Sequence, residues 1–158
     1  MHEYNAMFRL RPGIINGTAG CRALFEDLVA RDFSDYRFFG VHRFMVDAYA
    51  LQHPDEYCAS AKSLMAHLGG LRCAMEHGGE QIVYQTLQKS LNGRLSLKKP
   101  GLPRARGELT IEHLRGISDP DAYKQAIAQW GRCVWAAYSG LHDFGREWLR
   151  RALAANKE

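Results

Sequence analysis

The sequence predicts an all-α, single-domain bundle of five or six helices. Three observations lead there. Apolar residues recur at steps of three and four along most of the chain, the spacing of one helix face. No segment shows the strict apolar–polar alternation of a half-buried strand. The 158 residues, 46% of them hydrophobic, fit one domain with a real core. Three Trp, seven Tyr and seven Phe supply much of the area such a core buries.

Residues 1–17 read as an irregular N-terminal arm. Arg9, Arg11, Pro12 and Gly13 break any period, and Asn16-Gly17 is a turn signal. The bundle domain is expected over 18–155. Thr18 is placed to cap a first helix to about Arg31, with Cys21, Leu24, Phe25 and Leu28 on one face. Ser34-Asp35 starts a central helix that reaches about His53, where Pro54 stops it, because the residue before proline avoids helical angles. Asp55-Glu56 opens the next helix, to about His77, with Leu64, Leu68, Leu71 and Met75 as its stripe. Its Gly69-Gly70 pair costs about 1 kcal/mol per glycine against alanine. Close approach of a neighbouring backbone or a bulky ring is the expected return.

Gly78-Gly79 ends that helix, and Glu80 to Leu91 forms a fourth. Residues 92–109 have no period and are long for a connection, since about 4–6 residues is typical. Thr110 to Leu114 makes a short helix. Ser118-Asp119-Pro120 starts the last one, which runs toward Ala155 on the stripe Tyr123, Ile127, Trp130, Val134, Leu141 and Trp148. Gly140 and Gly145 are placed to kink it.

The formal charge is +4. It permits an acidic or nucleic-acid partner without requiring one. The start of the chain lacks a hydrophobic signal core, and no run approaches ~20 apolar residues. A cytoplasmic protein without a membrane span is expected. Cys21, Cys58, Cys73 and Cys133 form no Cys-x-x-Cys pair and read as reduced, buried thiols. No Gly-x-Ser-x-Gly elbow, phosphate loop or pair of core carboxylates is present.

The polar chemistry gathers on the central helix. His42, Val46, Tyr49 and His53 share one stripe, while Phe44, Ala48 and Leu51 lie opposite. A helix apolar on both sides belongs inside a bundle. His42, Asp47, Tyr49, His53, His67 and His142 are therefore candidates for a hydrogen-bonded polar core or a metal site. His42 and His53 stand about 16 Å apart along the axis and cannot share an ion. Counted from the turn at Pro54, His42 and His67 each lie about twelve residues away, at one level of an antiparallel pair. With His142 from the last helix they would suit Zn²⁺ or Fe²⁺ with an open coordination position, Asp47 or Glu76 standing by as partner or fourth ligand. No cofactor is demanded by any spacing. Arg94, Lys98, Lys99, Arg104 and Arg106 make residues 92–109 a basic loop that could meet phosphate or an acidic protein surface, with Arg146, Arg150 and Arg151 also basic near the chain end.

Val41-His42-Arg43, Val46-Asp47-Ala48-Tyr49 and Gln52-His53-Pro54 together resemble the hallmark of a bacterial family of small helical proteins of unknown function. Gly20-Cys21, Ala66-His67-Leu68 with Gly70-Leu71, Gly107-Glu108-Leu109-Thr110, and Trp130 to Trp135 with His142 continue the match in order, over roughly residues 17–150. The resemblance implies a helical fold and no established reaction. It also implies a Cys-x-x-Cys pair ahead of Cys21, which this chain lacks, so a zinc site built on those cysteines is absent or rebuilt.

Two functions are consistent with these residues. The first is a small interaction protein, a regulator or inhibitor that offers the basic loop or an aromatic face to a protein or nucleoprotein partner, or to nucleic acid. The alternative is a metal-dependent helical hydrolase or transferase in which His42, His67 and His142 hold the ion and a bound water attacks.

Overall fold

The computed structural model describes residues 19–155, and every regular element among them is helical. The order is α1 (Ala19–Ser34), α2 (Tyr36–Phe39), α3 (His42–Gln52), α4 (Pro54–Tyr57), α5 (Ala61–His77), α6 (Gln81–Leu91), a 3₁₀ turn (Ile111–Leu114), α7 (Pro120–Ala137), a second 3₁₀ turn (Ser139–Leu141) and α8 (His142–Ala155). Six of these helices have eleven residues or more, which is the predicted bundle. The expected N-terminal arm and the Thr18 cap lie outside the described residues.

α3 sits at the centre and packs most heavily on α5 and α7. Met45 through Leu51 are all buried along it, as a helix apolar on both sides requires. Gly131 of α7 is what lets α3 come close. A Cβ there would overlap the Phe44 ring, so the glycine is the socket for that side chain.

Three helices expected to be continuous are each broken once, and every break has a local cause. The central helix divides at Gly40–Val41. Asp35 caps α2 by accepting from the Arg37 amide at 3.0 Å, and α3 starts afresh at His42. The next helix divides at Cys58–Ser60. Ser60 and Ser63 form a reciprocal capping box that nucleates α5 at Ala61. The last helix divides at Tyr138–Leu141. Tyr138 is buried and its hydroxyl donates to the Leu51 carbonyl at 2.6 Å, while His142 Nε2 donates to the Trp135 carbonyl at 3.0 Å and closes the end of α7.

The segment after α6 is an extended strap laid on the core. Leu95, Leu97, Leu102 and Leu109 pack inward, while Arg94, Ser96 and Lys98 are exposed. The stretch Arg94 to Lys98 thus alternates at period two without joining a sheet, a correction to the expectation that the loop has no period. Gln52 ties the strap down. Its Nε2 donates to the Arg106 and Leu109 carbonyls at 3.0 and 2.7 Å, and its Oε1 accepts from Trp130 Nε1 at 3.0 Å. Gly107 has φ of +96°, and a Cβ there would press on the Cys133 backbone at 3.2 Å. Among the described residues no helix is long and apolar enough to cross a membrane.

Candidate functional site

Two buried carboxylate–imidazole pairs form the polar centre. The first joins α1 to α3: His42 Nδ1 lies 3.1 Å from Asp32 Oδ2, and the Tyr123 hydroxyl donates to Asp32 Oδ1 at 3.3 Å. Asp32 is fully buried and His42 is 8% exposed. An ionised carboxylate only accepts, so with a neutral ring the short contact puts the proton on Nδ1 and the lone pair on Nε2. Burial, and after it the Asp32 charge, hold the Tyr123 phenol above its ordinary range, so it remains a donor. Arg31 closes the cluster. Its guanidinium stands 4.0 Å from the Phe38 ring centroid and 4.1 Å from that of Tyr123, with Nη1 on the Ile117 carbonyl at 2.8 Å.

The second pair joins α3 to α5. His67 Nδ1 lies 2.9 Å from Asp47 Oδ1, and Arg43 Nε reaches Asp47 Oδ2 at 3.4 Å. The Arg43 guanidinium covers the Tyr84 ring at 4.6 Å. Burial and then the Asp47 charge push the Tyr84 phenol up. Gly70 makes room for this pair, because a Cβ there would overlap the Asp47 carboxylate; at Gly69 the visitor is the Leu87 side chain. The glycine pair therefore admits a carboxylate and a leucine, not the ring or backbone expected.

The sequence placed His42 opposite His67, and this needs correcting. α4 and Cys58–Ser60 occupy the turn, so α5 begins at Ala61 and His67 comes level with Asp47. His142 lies apart from both, stacked on Trp135 at 3.7 Å between centroids and bonded to the Trp135 carbonyl. The three imidazoles expected to share an ion each have a separate partner, and among the described residues no three His, Cys, Asp or Glu side chains are gathered to hold a metal. Tyr49 stacks on Phe25 at 4.0 Å and tilts against His53 at 4.2 Å. Burial pushes the Tyr49 phenol up to about 12, and burial followed by the Arg106 charge lowers the His53 imidazole. Of the basic loop, Arg94, Lys98 and Arg104 are exposed, whereas Lys99 and Arg106 are half-buried.

A cleft of about 530 Å³ opens between the start of α3 and the α5–α6 corner. His42, Arg43 and Phe44 line one side, Gln81, Tyr84 and Gln85 the other. His42 thus bridges two surroundings. Nδ1 is held in the interior by Asp32, the residue lines the cleft, and Nε2 has no hydrogen-bond partner among the described residues. Phe33 and Phe39 flank the ring, at 4.7 and 5.8 Å between centroids, and both are exposed, as is Tyr36.

Sequence reasoning found His42 and missed Asp32, Tyr123 and Tyr84. One signal for Asp32 was present: it follows Phe25 and Leu28 at helical spacing, on the buried stripe of α1. The helical stripe placed Tyr123 in the core, but no local pattern marks it as a partner of Asp32, ninety-one residues away.

The model of a family of unknown function, DUF5946, matches residues 8–139. The chain belongs to the DUF5946 family. Among curated proteins and solved structures, none matches this DUF5946 chain.

Proposed function

We propose that this protein binds a small molecule in the α3–α6 cleft and exchanges a proton with it through His42. The observation that carries the reading is the divided environment of that ring. Its Nδ1 is fixed on fully buried Asp32, while the residue lines the cleft and the opposite nitrogen has no hydrogen-bond partner among the described residues. A carboxylate behind an imidazole sets its tautomer and orientation and stabilises the imidazolium that forms when Nε2 accepts a proton. Asp32 is then a positioning residue, held in turn by Tyr123. In a reaction that uses the base, its removal costs about 10²–10⁴-fold.

The tautomer tests this directly. Long-range ¹H–¹⁵N NMR of the neutral ring should report protonated Nδ1 and bare Nε2 at His42. Asp32→Asn should shift His42 toward the other tautomer while the protein stays folded. Finding the proton on Nε2 in the unaltered protein overturns the reading.

A second reading, the interaction protein, is supported by exposed side chains. Phe33, Tyr36 and Phe39 are 59%, 88% and 47% exposed within seven residues, and Arg94, Lys98 and Arg104 stand outward on the strap. Under this reading a nucleoprotein or nucleic-acid partner meets the strap, and binding falls steeply with salt. Fluorescence anisotropy with a labelled duplex at several salt concentrations tests it; salt-independent binding, or none, rejects the nucleic-acid form.

A further inference from the structure

We infer that the cleft takes a small organic anion, its charged head at the amino-terminal ends of α3 and α6 and its apolar body against Phe39 and Phe44. This rests on the small-molecule reading above and adds the ligand class. Two helix amino termini border this cleft, α3 through Val41 and His42 and α6 through Gln81. Neither has a side-chain cap: Val41 cannot supply one, and the Glu80 carboxylate does not bond back to its own first turn. Uncapped first-turn amides carry partial positive charge and donate to anions.

The side chains agree with the backbone. The lining holds no carboxylate and includes Arg43 and His42. Asp32 and Asp47 are buried and committed, Asp32 to His42 and Tyr123, Asp47 to His67 and Arg43, and Glu80 just before α6 is exposed and outside the lining. His42 is more than nine-tenths buried, lines the cleft, and brings an Nε2 without a hydrogen-bond partner among the described residues. On α6, Gln81 and Gln85 stand one turn apart and line the same wall, adding neutral polar groups that do not repel an anion. Phe39 and Phe44 give the ligand's carbon skeleton an apolar surface. A carboxylate and a phosphate monoester share the chemistry this site would recognise.

The test is an NMR titration of the full chain with benzoate, phenyl phosphate and benzamide at constant ionic strength. Benzamide is the neutral shape-match of benzoate. The expected result is that at least one anion shifts the backbone amides of residues 41–44 and 81–82, and that benzamide binds those residues at least tenfold more weakly. The tighter of the two anions assigns the head as carboxylate or phosphate. Gln85→Glu places a charge on an exposed position of the cleft wall, where folding is not at risk, and should weaken the anion at least tenfold. Three results overturn the inference: benzamide binding as tightly as benzoate, anion shifts on the Arg94–Arg106 strap and not in the cleft, or no shift with either anion. Benzamide bound in the cleft would leave the small-molecule reading standing without the charge. The opposite His42 tautomer with an anion in place would remove the proton exchange and leave the anion.

Discussion

Asp47 and His67 meet across α3 and α5 at 2.9 Å, and the residue that permits it is Gly70, whose missing Cβ leaves the volume the carboxylate fills. The pair is nearly dry, with Asp47 1% and His67 7% exposed. Gly70→Ala must therefore expel a buried charge, whereas Gly69→Ala must only move the methyl ends of Leu87. Gly70→Ala is expected to cost about 3 kcal/mol or more, because it separates a buried pair. Gly69→Ala should stay within about 1 kcal/mol of the parent, since helix propensity offsets the crowding. Urea denaturation of the two variants checks the contrast, and equal losses would contradict it.

Gln52 holds the strap by two hydrogen bonds, to the Arg106 and Leu109 carbonyls, and is itself held by a third from the Trp130 indole of α7. Gln52→Ala should cost about 2 kcal/mol, as partly buried donors and acceptors lose partners. It should also free the strap locally. Tryptic cleavage after Arg104 and Arg106 is expected to rise at least tenfold while the helical circular dichroism is retained. An unchanged cleavage rate would show that the leucine anchors suffice alone.

His53 gives the fold a sensitivity to mild acid. Burial, then the Arg106 charge, lowers its pKa from 6.5. Between the lowered value and 6.5 the unfolded chain binds more protons than the folded one, so stability rises with pH in that window. The contribution is complete above about 6.5 and is lost as the pH falls through the folded value. His53→Gln should flatten the slope of the unfolding free energy between pH 7 and pH 5. If the slope is unchanged, the acid sensitivity belongs to another group.

Cys58 and Cys73 should resist alkylation in the folded protein. Both are buried, and burial pushes the Cys58 thiol up to about 12 and the Cys73 thiol upward as well. Cys21 and Cys133 are only half-buried. Iodoacetamide at pH 8, followed by peptide mass mapping, should modify Cys21 and Cys133 first and reach Cys58 and Cys73 only after denaturant is added. Early modification of Cys58 would mean that its surroundings open readily.

The helical character of this chain was legible because helix formation is local. Stripes such as Leu64, Leu68 and Leu71, and stop signals such as Pro54 and Gly78-Gly79, act within a few residues and need no distant partner. His42 and Asp47 were legible for the same reason, being polar residues on a helix that is otherwise buried. The breaks were not. His142 ends α7 by reaching the Trp135 carbonyl, and Ser60 with Ser63 outcompetes a continuous helix, so in each case a side chain took a backbone group that the helical pattern had assigned elsewhere.

The sequence by itself determined which segments are helices and that α3 lies at the centre, since periodicity and burial follow from neighbours along the chain. Only the tertiary structure decided which polar groups meet. The eight residues between α3 and α5 moved His67 from the level of His42 to that of Asp47. A contact at 2.9 Å depends on axial register, and one turn of helix shifts register by about 5.4 Å, well beyond hydrogen-bond reach. The pairing of His42 with Asp32 likewise came from packing α1, α3 and α7 together, and its place on the cleft from setting the start of α3 beside the α5–α6 corner.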